Sequence, residues 1–195
     1  MALASDGGCE GGDGCPGTPD PCILCGVRRW AWLLLGLSSG VAAQSSLGNY
    51  NGAYVYQPHQ GDDAHIEEAI ESATADLNFV QRGIARKRLE ASTRPFAQFQ
   101  VLFEGERVLL RIDHHEYDLP LDGHGAKLEG LTGTEVEVSA TLRGEDLRQV
   151  FKGDRGTRYL DYRFHHDGSV SLHTSIESEY LPQHIAYSLT YHRGN

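Results

Sequence analysis

A change in the spacing of apolar residues is the feature that most limits how this chain can fold. Apolar residues recur every three or four positions before Pro95, and every second position from Phe96 to the end. A period near 3.6 places side chains on one side of an α-helix, whereas a period of two places them on one face of a β-strand. The sequence therefore predicts a mainly β protein with one helix ahead of its strands.

The helix is predicted over residues 62–92. Its apolar residues are spaced by 4, 3, 4, 3 and 4 positions and form a single stripe: Ile66, Ile70, Ala73, Leu77, Val80 and Ile84. Acidic residues at its start and basic residues at its end suit the helix dipole. Asp62 or Asp63 is placed to cap it, and Pro95 prevents its continuation. One long amphipathic helix is expected, followed by a β-domain over residues 96–193.

Eight alternating runs follow the helix. They lie within residues 99–103, 108–112, 117–121, 136–142, 147–151, 160–164, 170–176 and 185–191. Short turns with glycine separate them, and Asp-Gly pairs favour tight antiparallel hairpins. Strands with one apolar face lose their unpaired edges best by closing into a barrel. An eight-stranded antiparallel up-and-down barrel is therefore predicted, with a two-sheet β-sandwich as the alternative.

Several turn and core motifs carry a family resemblance. They include Leu142-Arg143-Gly144, Tyr162-Arg163-Phe164 and Asp167-Gly168-Ser169-Val170, preceded by Asn78-Phe79-Val80 in the helix. Together they resemble uncharacterised bacterial secreted proteins with a lipocalin-like, or calycin-like, barrel. The resemblance spans about residues 62–193 and implies a fold able to hold one small ligand. The Gly-x-Trp motif of lipocalins is not found near the first strand, so the resemblance implies a fold rather than a particular ligand.

The first 61 residues divide into three segments that precede the helix. Residues 1–27 are rich in Gly, Pro and Asp and contain all four cysteines; they are predicted to be a disordered leader or a misassigned start. Residues 28–43 have the order of a secretory signal: two arginines, an apolar run and small residues, with cleavage after Ala43. Residues 44–61 are predicted to be a flexible arm. The working protein is expected to be periplasmic or secreted, with no transmembrane anchor after cleavage.

Composition excludes several classes of function. The net charge of −10 makes nucleic acid a poor partner. No cysteine follows residue 43, which excludes disulfides, thiol catalysis and iron–sulfur clusters from the working protein. The motifs Gly-x-Ser-x-Gly, Ser-x-x-Lys and His-Glu-x-x-His are likewise missing after residue 43; the one Gly-x-Ser-x-Gly match, at residues 36–40, lies in the predicted signal. The sequence therefore favours a protein that is not an enzyme, and it predicts no cofactor.

Aromatic residues at alternate strand positions are the predicted lining of the barrel. They are Phe99, Phe103, Tyr117, Phe151, Tyr162, Phe164, Tyr187 and Tyr191. Such a lining can hold a small apolar or lipid-like ligand, with tyrosine hydroxyls orienting its head group. The same side chains can also simply fill the interior.

Histidine pairs are the candidate metal ligands, because imidazole is the commonest metal ligand in proteins. The two dense spots contain His114 with His115 and His165 with His166, each pair at a predicted turn. Adjacent side chains of a strand point to opposite faces, so neither pair readily chelates one ion. A shared metal site would require both turns at the same end of the barrel.

Three functions follow in order of preference. The first is a secreted or periplasmic lipocalin-like module that binds a small apolar or lipid-like ligand. The alternative is a non-enzymatic envelope interaction or accessory protein, with a filled barrel and an envelope protein as partner. The third is a hydrolase without a recognisable motif, whose catalytic residues converge only in the fold.

Overall fold

A computed structural model describes residues 47–194. Ten strands and two helices follow a short 3-10 turn at Gly48–Tyr50. The elements in chain order are β1 (Gly52–Tyr56), α1 (Asp62–Thr74), α2 (Phe79–Ser92), β2 (Gln98–Glu104), β3 (Arg107–Ile112), β4 (His115–Pro120), β5 (Ala126–Glu129), β6 (Glu135–Arg143), β7 (Asp146–Gly153), β8 (Gly156–Phe164), β9 (Ser169–Ser178) and β10 (Ile185–Arg193).

The strands form one antiparallel sheet that curls into a nearly closed barrel. Their spatial order is β4-β3-β2-β1-β10-β9-β8-β7-β6-β5. β1 lies in the middle of this order, where Tyr54 pairs with Phe99 of β2 on one side and with Arg193 of β10 on the other. The predicted antiparallel barrel is confirmed, and the alternative of two sheets is not observed among residues 47–194.

The two edges of the sheet meet at one end of the barrel only. After β4, the Gly123 amide donates to the Ala140 carbonyl at 2.9 Å, and the Leu142 amide donates to the Leu121 carbonyl at 3.4 Å. β4 and β5 are not hydrogen-bonded to each other along the rest of the seam. Because antiparallel connections alternate between ends, this closure lies at the end opposite the helices, which join β1 to β2.

All eight predicted runs are strands, and the structure adds β1 and β5. The flexible arm predicted for residues 44–61 differs from the structure, because residues 47–56 belong to the barrel. Leu47 is 2% exposed, and Tyr50 stacks on Phe164 with ring centroids 5.1 Å apart. The Tyr54 hydroxyl donates to the Tyr50 carbonyl at 2.7 Å. Short length and a glycine at its start hide β1 from a search for alternation.

The single long helix predicted over residues 62–92 is wrong, because the structure contains a helical hairpin. α1 ends at Thr74, and Asn78 caps α2 by accepting a hydrogen bond from the Gln81 amide at 2.9 Å. The apolar stripe is divided as a result. Its first part is buried against the barrel, whereas Val80 and Ile84 in α2 are exposed.

Charged and polar contacts fix the hairpin in place. Arg86 of α2 contacts Glu67 at 2.7 Å and Glu71 at 2.8 Å, which joins the two helices. Beyond α2, the Tyr187 hydroxyl donates to the Thr93 carbonyl at 3.0 Å, and the Tyr191 hydroxyl donates to the Phe96 carbonyl. These bonds hold the chain that follows α2 against β10.

The predicted leader at 1–27 and signal at 28–43 lie outside the described residues. Within residues 47–194, no helix has the length and hydropathy needed to span a membrane.

Candidate ligand-binding site

A cavity of about 860 Å³ lies between α2 and the end of the barrel that the helices cover. Three strand connections form its rim. Leu131 and Thr132 belong to the β5–β6 turn, Arg155 to the β7–β8 turn, and Tyr180 and Leu181 to the β9–β10 loop. The volume falls within the range of about 300–1,000 Å³ that is typical of small-molecule sites.

The less exposed part of the cavity lining is mainly apolar and contains one cation. Leu89 of α2 faces Val136, Phe151 and Ile176, which come from three strands of the barrel, and Arg158 of β8 lies among them. Leu89 and Phe151 are buried, and Ile176 packs against the core. This lining can hold the apolar body of a small molecule, with Arg158 to orient it. The other charged residues that border the cavity are exposed: Arg88, Glu135, Asp154, Arg155 and Glu177.

Helix α2 covers this cavity with little packing of its own. Leu89 is its one buried residue, and Ile84 is 53% exposed although it borders the cavity. A helix anchored by so few buried contacts belongs to the low-stability part of a fold, from which ligand-binding elements are drawn. Of the two helices, α2 is therefore the more weakly packed one, since α1 buries four residues.

The predicted lining residues occupy the barrel interior, and all eight are buried. Phe151 is the one of the eight that lines the cavity. The others pack largely on one another: the Phe99 ring lies edge-on to those of Tyr162 and Tyr191 at 5.2 and 5.0 Å, and Phe103 meets Phe164 at 5.8 Å. The interior is thus partly filled by aromatic packing, and a ligand-binding role for these residues stays a prediction.

Arg158 is a site residue that the aromatic pattern of the sequence does not include. It falls in the same period-two phase as Leu160, Tyr162 and Phe164, so β8 directs it inward. Its Nη1 donates to the Ser92 carbonyl at 2.8 Å, and its guanidinium carbon lies 5.3 Å from the centroid of the Phe96 ring. Its Nε is buried and has no hydrogen-bond partner. The sequence does indicate this residue, because Arg158 is the one charged residue among the inward-facing positions of β8.

Buried tyrosines give the interior further polar groups. The Tyr162 hydroxyl donates to Oε1 of Gln149 at 3.1 Å, whereas the Tyr117 hydroxyl and Nε2 of Gln149 have no partner. Burial raises the pKa of Tyr117 to about 12 and also raises the pKa of Tyr162. Both phenols are therefore neutral at physiological pH.

The histidine pairs lie at opposite ends of the barrel. His114 and His115 are at the β3–β4 connection on the helix side, with ring centroids 4.0 Å apart. His165 and His166 are at the β8–β9 connection, where the Nε2 of His165 lies 2.8 Å from the Ser171 hydroxyl. The two pairs therefore do not form a shared site. Within residues 47–194, no group of three or more His, Cys, Asp or Glu is placed to hold a metal ion.

Comparisons with known proteins find likeness in fold alone. No family model and no curated protein sequence match the chain. Similar solved structures include the REP1-NXSQ fatty acid transporter, with a TM-score of 0.46 and 11% identity over 75% of this chain and 97% of that chain. A Schistosoma mansoni fatty acid binding protein in complex with arachidonic acid gives 0.46 and 13% over 77% and 99%. Zebrafish ileal bile acid-binding protein with cholic acid gives 0.46 and 8% over 74% and 98%. These values do not establish membership of a family.

The raised tyrosine pKa values predict a loss of stability in alkali. In the unfolded chain tyrosine ionises near pH 10, whereas folded Tyr117 keeps its proton up to about pH 12. Since the folded pKa is the higher one, the stabilisation is complete below pH 10 and is lost as the pH rises through about 12. We expect the free energy of unfolding, measured with denaturant at a series of pH values, to fall across this interval.

Tyr117→Phe is the matched control for this prediction. It removes one raised pKa together with a hydroxyl that has no partner, so we expect a shallower pH dependence with little loss of stability at neutral pH. Tyrosinate absorbance that developed for all the tyrosines with a midpoint near pH 10 while the protein stayed folded would contradict the burial of these phenols.

Proposed function

We propose that the protein is a lipocalin-like module that binds a small apolar or lipid-like ligand in the cavity between α2 and the barrel. The cavity of about 860 Å³ with its apolar base is the observation that carries the proposal. The lightly packed α2 supports it, because a ligand needs a route past the helix and few buried contacts hold the helix down. Aromatic packing fills the rest of the interior and makes a rigid base for the site.

Filling the cavity should abolish binding. Ile176 faces the cavity from β9, so Ile176→Trp places an indole in the space that a ligand would occupy. We expect the neutral fluorescent probe N-phenyl-1-naphthylamine to bind the unmodified protein and to bind this variant at least about tenfold more weakly. Fluorescence titration measures both affinities.

Ser175→Trp is the matched control, because Ser175 is the adjacent residue on the opposite face of β9 and does not line the cavity. Its affinity should equal that of the unmodified protein. Equal binding by all three proteins would place the probe elsewhere, and failure of the unmodified protein to bind would refute the proposed function.

We propose further that the chain is exported and that the working protein begins at Gln44. The charged, apolar and small residues of the 28–43 segment support this, in the order that a signal peptidase requires. Burial of Leu47 is compatible with cleavage after Ala43, since that cut leaves the first core residue in place.

Intact mass measurement tests this proposal in a bacterial host. We expect the periplasmic fraction to contain a chain with the mass of residues 44–195. Ala43→Arg should leave the precursor unprocessed, because a large charged residue is not accepted next to the cleavage site, whereas Ser45→Arg should be processed. A protein of full-length mass in the cytoplasm would contradict export.

A contact with an envelope protein is the second candidate function, favoured by the exposed apolar residues of α2. Phe79 is 93% exposed and Val80 68%, and Ile84 lies one turn beyond Val80. Grouped apolar residues on a surface are typical of interaction sites. In this reading the hairpin contacts a partner, and the filled part of the barrel serves as its support.

Photo-cross-linking in cells tests the second candidate. A cross-linking residue at position 79 should give a discrete product with a partner protein, and the same residue at the exposed Glu68 of α1 should give background alone. The double variant Phe79→Ser, Val80→Ser should no longer compete with the unmodified protein for that partner. It should still bind the fluorescent probe, since neither residue lines the cavity. Identical products at both positions would argue against an interface on α2.

A further inference from the structure

Arg158 has no acidic partner, in contrast to the two neighbouring arginines Arg148 and Arg163. On the outer face, Arg148 contacts Asp161 at 2.6 Å, and Arg163 contacts Asp146 at 3.1 Å. Arg158 takes part in none of the ion pairs that residues 47–194 form. It points inward, lines the cavity, and its Nε is buried without a hydrogen-bond partner.

A half-buried guanidinium without a counter-charge is costly, because burial removes water that the charge would otherwise keep. The cost is offset when an anion binds, and the planar fork of N–H groups fits a carboxylate or a phosphoryl group especially well. One N–H is already used by the Ser92 carbonyl, at 2.8 Å. The Nε of Arg158 has no partner, and the Tyr187 hydroxyl is close enough to interact with the guanidinium.

The surroundings of Arg158 hold its guanidinium in a fixed position. The Ser92 carbonyl at the end of α2 accepts a hydrogen bond, and the Phe96 ring lies 5.3 Å from the guanidinium carbon. A group fixed before the ligand arrives loses less entropy on binding. The site is therefore organised for an anion in advance.

A second polar group lies in the same region. The Tyr117 hydroxyl is buried without a partner, and its ring meets that of Phe151, a residue of the cavity wall, at 5.3 Å. Burial and, to a smaller extent, the negative charge of Glu129 raise the pKa of Tyr117, and the positive charge of Arg158 lowers it. The two donors without partners thus share one part of the interior.

We propose that Arg158 binds the anionic head group of the ligand, so that the natural ligand is an amphipathic anion: a carboxylate, sulfonate or phosphate monoester with an apolar body. The apolar body contacts Leu89, Val136 and Ile176, which form the walls around the arginine. This inference rests on the proposed function, since it assigns the chemical class of a ligand in the same cavity.

The other cations at the cavity rim explain a preference for anionic ligands less well than Arg158 does. Arg88 and Arg155 also line the cavity, but both side chains are exposed. Exposed charges are hydrated and screened by salt, so they contribute to the rate of encounter more than to affinity. Arg155 is accordingly the matched control for Arg158: it has the same charge and borders the same cavity, three residues away.

The experiment compares two probes with the same chain, decanoate and decan-1-ol, by displacement of N-phenyl-1-naphthylamine. We expect the unmodified protein to bind decanoate about tenfold more tightly than the alcohol, from a charge-assisted hydrogen bond. Arg158→Gln should lose this preference by weakening decanoate alone. Arg155→Gln should keep it, and the preference should persist at high salt.

The outcomes separate this inference from the proposed function. If neither probe displaces the dye from the unmodified protein, the proposed function fails. If both bind and Arg158→Gln keeps the full preference for decanoate, cavity binding stands and the anion site at Arg158 is refuted. A preference lost in Arg155→Gln instead would place the anion at the rim.

Circular dichroism and thermal unfolding establish that each variant is folded. Arg158→Met is the second test, in case the Gln variant does not fold, because it removes the charge and keeps a flexible side chain suited to apolar surroundings. Loss of the preference for decanoate in the Met variant supports the site. A preference equal to that of the unmodified protein overturns the proposed head-group contact.

Discussion

The pairing of β1 with both β2 and β10 is the constraint on which the rest of the barrel depends. Without β1 the sheet consists of two separate meanders, β2–β4 and β5–β10. Their one remaining backbone connection among the described residues is the short bridge after β4. Side chains reinforce the junction: Asn51 accepts a hydrogen bond from the Phe103 amide at 2.8 Å, and Arg193 donates to the Asn49 and Asn51 carbonyls. The beginning and the end of the described chain are therefore parts of one structure, and pairing across so long a separation has a large entropic cost that packing must offset.

The position of the cavity follows from this junction. The helical hairpin lies within the β1–β2 connection and so covers the end of the barrel where that connection starts. The seam between the sheet edges is hydrogen-bonded at the other end, where Tyr50 and Phe164 also pack. Space is left on the side where α2 provides one buried residue in place of a full apolar face. The barrel interior is therefore packed with aromatic side chains at the end opposite the helices, and it contains a cavity at the end that α2 covers.

Period-two alternation predicted the strands well where a run was long, and it failed where a run was short. β6, β9 and β10 extend over nine or ten residues, but β1 has five and β5 has four, with Lys127 and Glu129 exposed in β5. The spacing of apolar residues does not show the break between the helices, because it continues past Asn78, whose side chain caps α2. Local spacing cannot show which continuation tertiary packing selects.

For a related reason, the sequence predicts only part of the candidate site. The inward direction of the aromatic residues follows from strand alternation, and so does that of Arg158. The cavity itself is made by α2 and three connections that meet only in the folded chain. A half-buried guanidinium without an acidic partner keeps part of its desolvation cost, so Arg158 lowers the stability of the empty barrel. An anion that binds the folded state alone would restore that stability in proportion to its concentration and affinity. In the proposed anion site, occupancy of the cavity and stability of the barrel would be coupled through Arg158.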